Sequence, residues 1–422
     1  MAGSHKKHKT GTYQIIRSFT GDCPAVSNYL ADKKTKSAWL APKFLDAFFR
    51  SYSQVMLCNN TLSGVIMYIA LLFAHPLGAF TSTITCSIGI FTAYLIRQPG
   101  SVLSNGLAGY NPLLVGMVTA VSQPNMLTGD TAVIAWLYVI IASIISVYLA
   151  VHLASLLGRA GAPGLTWSFN ITQYLLLIVL WTYRVNIERH NSVTEINKSQ
   201  ISESNITHAS LQDSIDDEIL PIDWINVFYG SVAASGQVFA VYDLAFSTLI
   251  YIGIFVFSPI MAASSFLGAF FGPLFFLAIS NASLDNLTLA YNGVMGYNPL
   301  LCAAALGGFF YRLNFQTATL SCIGILITCI LQLALAPAYP DFLNVQTIPF
   351  CISTCVFLIT DLGTNKAFKK PKVISYPEKH LRENCDDSDF EVETVSCSAA
   401  DENRSEDDIR IPVSEEEHAE RQ

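Results

Sequence analysis

Gly109-Tyr110-Asn111-Pro112-Leu113-Leu114 occurs a second time, unchanged, as Gly296-Tyr297-Asn298-Pro299-Leu300-Leu301, 187 residues later. Just before it, Gly106-Leu107-Ala108-Gly109 answers Gly293-Val294-Met295-Gly296. Two more landmarks repeat in the same order. Gln54-Val55 matches Gln237-Val238 at a spacing of 183, and Thr166-Trp167-Ser168-Phe169 matches Thr347-Ile348-Pro349-Phe350 at 181. Three matches in one order, at nearly one spacing, indicate a tandem duplication.

The composition says what kind of unit was duplicated. Of 422 residues, 52% are hydrophobic and 13% charged, against roughly 25% charged in soluble chains. Residues 51–183 contain three charges (Arg97, Asp130, Arg159), and residues 224–360 contain four (Asp243, Asp285, Arg312, Asp341). So few charges cannot coat a soluble surface. An ordinary soluble protein is excluded, and so is a chain with a single anchor. The expected fold is an all-α polytopic membrane protein.

The remaining charge marks the boundaries. Residues 1–50 carry a balance of +6 and form an N-terminal region, with no apolar stretch of the kind a signal peptide needs. Residues 51–183 and 224–361 are the two membrane repeats. Residues 184–223 carry −5, and 362–422 form a tail, acidic and disordered after 380, whose residues 381–422 carry −11 of the net −8. Lysines flank the membrane at both ends, which places both termini in the cytoplasm. The 184–223 loop holds the sequons at Asn197 and Asn205, glycosylation candidates only on the other side of the membrane. Each repeat therefore crosses an odd number of times, and the two are inverted relative to each other.

Each half has about five apolar stretches: near 61–77, 79–97, 109–123, 131–157 and 169–183, then 244–258, 260–279, 297–311, 316–337 and 347–360. The third of each is short, follows a Gly-rich turn and carries Asn-Pro, the mark of a re-entrant or half-helix pore segment. Rows of ionised residues, as in ion-driven pumps, are missing from both blocks. The duplicated polar residues are neutral: Gln54/Gln237, Tyr110/Tyr297, Asn111/Asn298 and Thr166/Thr347. They suit a small, neutral, hydrogen-bonding solute. His75 and His152 lack repeat counterparts, and Cys351 and Cys355, four apart, read as small packing residues. No nucleophile–base or metal constellation recurs near the repeats, so neither an enzyme nor a cofactor or metal is expected. Nothing suggests a nucleic-acid partner.

The landmarks also resemble the urea transporter family. The duplicated Gly-Tyr-Asn-Pro-Leu-Leu, Thr347-Ile348-Pro349-Phe350, Ser53-Gln54-Val55, Cys58-Asn59-Asn60-Thr61-Leu62-Ser63-Gly64 and Val373-Ile374-Ser375-Tyr376-Pro377-Glu378 carry the likeness, from about residue 22 to 380. The resemblance implies a passive urea channel in the plasma membrane, a homotrimer in lipid with one pore per subunit. On the matching positions it makes Thr166 and Thr347 the centre of the filter. Tyr110 with Leu114, and Tyr297 with Leu301, become slot walls, and Gln54 and Gln237 stand at the pore mouths. Three departures stand out: Ser168 in place of a proline, and Leu57 and Ala240 in place of aromatics. Asp243 also stands where the first half has Asn60. Loss of the proline leads one to expect a different helix break in the first half. Ala240 leaves open other small solutes (ammonia, water, a urea analogue), or a non-conducting receptor or scaffold.

Overall fold

The computed structural model describes residues 14, 16–33, 38–199, 221–280, 282–340, 342–359 and 366–383, with side chains left aside over 190–199. Asn205 and the tail beyond 383 thus lie outside what is described, while Asn197 falls in a helix of which only the backbone is described. Among the described residues the chain is helical, with no strand. Two units are distinguished, Met1–Pro377 and Glu378–Gln422. All that follows concerns the first.

In the first half run α1 (Pro24–Ala31), α2 (Leu40–Gln54), α3 (Thr61–Ala74), α4 (Pro76–Leu95), α5 (Gly100–Ser104), α6 (Tyr110–Ser122), α7 (Pro124–Thr128), α8 (Ala132–Arg159) and α9 (Trp167–Ser199). The second half follows with α10 (Trp224–Gln237), α11 (Leu244–Phe257), α12 (Pro259–Ile279), α13 (Leu284–Tyr291), α14 (Tyr297–Ala304), α15 (Phe315–Leu335) and α16 (Ile348–Ile359). Among the described residues, four helices are long and apolar enough to cross a membrane: α4, α8, α12, and α15 with its 3-10 extension to Ala338. Large side chains stay exposed on several helices, with Phe73 85% and Val133 83% accessible. Such faces need lipid or another subunit to cover them. This is a multi-pass membrane protein.

Local chemistry repeats from one half to the other. α2 and α10 both end in the same hydrogen-bonded turn: Cys58 N–H donates to Ser53 O, and Val241 N–H to Gly236 O, each at 3.0 Å. The residue that closes this turn has a left-handed backbone, Leu57 at φ 59° and Ala240 at φ 57°. That conformation costs a non-glycine residue about 1–2 kcal/mol, so packing must hold it. Two more pairs match: Gly106 at φ 70° with Gly293 at 78°, and Leu165 at φ 40° with Gln346 at 51°. Pro76 and Pro259 open α4 and α12 at the position where a missing N–H does no harm.

The capping groups explain two residues that composition left ambiguous. Asn60 accepts from Ser63 N–H at 2.9 Å to start α3, and Asp243 accepts from Phe246 N–H at 2.6 Å to start α11. His75 accepts from Gly78 N–H through Nδ1 to start α4, where Ser258 does the same for α12. Asp243 and His75 are therefore helix caps. Replacing Asp243 with Ala is expected to cost about 1 kcal/mol of stability, read as a lower Tm in detergent. Asp243→Asn should leave the Tm nearly unchanged.

The prolines of the duplicated motif do not interrupt a helix, as the sequence had suggested. Pro112 and Pro299 lie in the first turn of α6 and α14, where backbone N–H groups have no helical partner anyway. The break comes before the helix, at the Gly106 and Gly293 turns. Each proline packs into a glycine on the preceding span. A Cβ on Gly89 would come within 2.5 Å of Pro112 Cγ, and one on Gly272 within 2.8 Å of Pro299 Cγ. Beyond the motif the halves differ, since α14 passes into a segment of π-helical bonding, Ala305–Phe309, kinked at Gly307 and at Gly308, the latter at φ 127°.

Before α2, residues 16–33 are pinned to the membrane domain by Arg50, which is 1% exposed. Its Nε reaches the Asp46 carboxylate at 3.0 and 3.2 Å. Its Nη1 takes Asn59 O and Oδ1, and its Nη2 takes Ser27 Oγ and Asp22 O. Asn60 Nδ2 adds bonds to Phe19 O and Gly21 O. Ser375 Oγ donates to the Asp22 carboxylate, so the stretch after the last span joins the same cluster.

Candidate functional site

The duplicated polar residues sit at helix ends, where unpaired backbone groups and side chains can meet. Gln54 and Gln237 are the last residues of α2 and α10. Their amide nitrogens donate to Asn105 O at 2.9 Å and Asn292 O at 2.8 Å, in the turns before the duplicated motifs. Tyr110 and Tyr297 open α6 and α14, and their hydroxyls donate to Leu165 O at 2.5 Å and Gln346 O at 2.6 Å. These two carbonyls belong to the left-handed residues just before Thr166 and Thr347. Glutamine, tyrosine and threonine are thereby linked through backbone on each side.

At the centre the two sides touch. Thr166 and Thr347 precede α9 and α16, are 6% and 4% exposed, and share a hydrogen bond of 2.7 Å between their hydroxyls. Asn170 braces this pair from the next turn of α9: its Oδ1 accepts from Thr347 N–H and Thr347 Oγ1, each at 3.1 Å, while its Nδ2 donates to Thr166 O at 3.0 Å. The residue 181 positions after Asn170 is Cys351, whose thiol lies 3.1 Å from Thr166 Oγ1. Trp167 Nε1 likewise meets Cys355 Sγ at 3.5 Å. Residues equivalent in the two halves thus contact each other here. The corresponding helices α3 and α11 also pack on each other, Ser63 Oγ donating to Gly253 O at 2.7 Å.

Ser168 does not shift the helix break: α9 begins at Trp167 and α16 at the equivalent Ile348. The backbone bonds explain this, since Asn170 N–H donates to Thr166 O as Cys351 N–H does to Thr347 O. Neither bond involves the N–H that proline lacks. Leu114 and Leu301 are buried in the core.

A cavity of about 460 Å³ opens on one side of the threonine pair, lined by Gln54, Leu57, Asn105, Tyr110, Asn111, Leu165, Phe309 and Phe310 among others. Its polar groups are amides, hydroxyls and carbonyls. Asn111 Oδ1 is buried and without a hydrogen-bond partner, whereas its counterpart Asn298 bonds Gln332 Oε1, Gln346 O and Phe350 N–H. His152 is exposed on α8 and bonds Tyr148 O, so it stands apart from the site. No group of three His, Cys, Asp or Glu residues capable of holding a metal occurs among the described residues. The site offers uncharged hydrogen-bond donors and acceptors between apolar walls.

Of the residues named from the sequence, the structure puts Thr166 and Thr347 in contact and Gln54 and Tyr110 on one cavity wall. The sequence reading missed Asn170, which holds both threonines, and took Cys351 as packing alone. It also passed over Gln346. A signal existed for the first two: applying the 181-residue offset beyond Thr166 pairs Asn170 with Cys351.

Comparison with known proteins gives a consistent answer. The urea transporter family model matches residues 45–362. Urea transporter 1 of Capra hircus is 27% identical over 367 residues, covering 86% of this chain and 87% of its own length. Urea transporter 1 of Rattus norvegicus is 25% identical over 376 residues, covering 87% and 89%.

Proposed function

The chain belongs to the urea transporter family, and on that premise we propose that it is a passive, selective channel for urea in the plasma membrane. The observation that carries this reading is the hydrogen-bonded pair Thr166–Thr347, where equivalent residues of the two halves meet in an uncharged, buried setting. Equivalent residues of a two-fold arrangement touch one another only along its axis. This supports inverted repeats, with 51–183 and 224–361 facing opposite sides and the segment 184–223, which starts as the end of α9 and bears Asn197 and Asn205, outside the cell. Both termini lie in the cytoplasm. The subunits form a homotrimer in lipid, each with its own pore.

Urea enters past Gln54, or from the other side past Gln237, and lies flat against Tyr110 or Tyr297. Leu114 and Leu301 complete the slots. Leu165 O and Asn105 O accept from Tyr110 and Gln54 and keep a second lone pair for an N–H of the solute. At the centre, 2.7 Å between hydroxyl oxygens leaves no room for a molecule, so passage requires the threonines to part. Each then trades its bond to the other for a bond to urea. That exchange keeps the barrier low for a solute able to donate and accept, and high for ions, whose lost hydration no charged group of the site offsets.

A channel of this kind runs on its solute gradient alone. Urea uptake into proteoliposomes is expected to keep the same rate when sodium or proton gradients are imposed or collapsed. A requirement for either gradient would overturn the passive mechanism. Ala240 leaves the second slot without a bulky wall, which favours a second reading in which ammonia, water or a urea analogue shares the pore. Competition with urea in one stopped-flow assay separates the two.

A further inference from the structure

Gln346 breaks the symmetry of the site. Its counterpart 181 residues earlier is Leu165, which has the same left-handed backbone and lines the cavity beside Gln54 and Tyr110. Gln346 thus holds the corresponding place on the other side of the threonine pair, with an amide in place of an isobutyl group. It is 7% exposed, and both its Nε2 and its Oε1 are buried without a hydrogen-bond partner. The backbone around it is held firmly. Gln346 O accepts from Tyr297 OH at 2.6 Å and from Asn298 Nδ2 at 2.9 Å, and the next residue is tied to Asn170 and Thr166.

A buried amide unpaired at both atoms is unfavourable, and folded proteins rarely retain one unless something else satisfies it. The complement of a primary amide is another planar group with a carbonyl beside an N–H, joined to it by two parallel bonds. We propose that Gln346 is a specificity-determining residue of the pore, whose side-chain amide pairs edge to edge with the passing solute and so selects urea and small primary amides. The inference rests on the channel reading above. Water or ammonia satisfies one of the two atoms at a time and gains less from the pair. The amide stands on one side of the waist only, so a solute crosses from an apolar neighbour, Leu165, to a matching polar one.

Stopped-flow uptake of urea and of formamide tests this in proteoliposomes holding the wild type, Gln346→Leu or Gln346→Asn. The leucine variant is expected to slow both solutes at least fivefold and raise the half-saturating urea concentration, and the asparagine variant to fall between it and the wild type. Its Tm should equal or exceed that of the wild type, because two unpaired atoms leave the interior. A wild type that conducts urea beside a leucine variant within twofold of it overturns the proposal. So does a marked fall in the Tm of that variant, which would make the amide structural. A wild type that conducts no urea would instead sink the channel reading itself.

Discussion

Thr347→Val is expected to slow urea flux roughly ten- to a hundredfold while leaving the folded protein intact. Valine matches threonine in shape but cannot form the bond to Thr166 or donate to Asn170 Oδ1. A solute at the waist then meets a methyl group and leaves one of its own polar groups unpaired. The cost is about 1–3 kcal/mol, and each 1.4 kcal/mol of barrier is about tenfold in rate. Folding should survive, since Asn170 Oδ1 keeps its bond from Thr347 N–H. Thr347→Ser keeps the hydroxyl and should stay within a few-fold of the wild type. Thr166→Val should resemble Thr347→Val. The double variant should lose less than the product of the two, because the residues share one bond. Stopped-flow uptake reads all four, and unchanged flux in Thr347→Val would remove that residue from the filter.

The largest effect on stability is expected at Arg50, which does not line the cavity itself but holds Asn59, a residue that does. Arg50→Met should cost about 3–5 kcal/mol, the usual consequence of stranding a buried charge. Asp46 would keep only the bond from Thr61 Oγ1, and Asn59 O, Ser27 and Asp22 O would lose the guanidinium. The stretch 16–33 would lose part of its attachment. Arg50→Met combined with Asp46→Leu removes both charges and should recover much of the loss. Tm in detergent measures both variants. If Arg50→Met melts with the wild type, the buried cluster does not hold the segment.

The helices were legible because lipid imposes one simple rule: apolar stretches at matching offsets become spans. The candidate site was legible where residues were duplicated: Thr166 meets Thr347, and Gln54 and Gln237 hold matching turns. What stayed hidden depends on contacts between the halves. Asn170 reaches Thr347 over 177 positions, and no local pattern announces such a pairing. Left-handed turns at Leu57, Ala240, Leu165 and Gln346 were also invisible, because the usual signal for that backbone is glycine and none is present. The Asn-Pro pairs misled for a related reason. Proline within an apolar run reads as a break, but in the first helical turn it is harmless. Gln346 escaped because it is the unmatched partner of Leu165, and a search for repeats rewards identity.

The central claim is that the purified chain passes urea by itself. Stopped-flow light scattering on sealed proteoliposomes, with urea as the only gradient, tests it most directly. The account predicts a urea permeability at least tenfold above that of protein-free vesicles. A well-folded preparation that leaves the vesicles no more permeable to urea than bare lipid would contradict it.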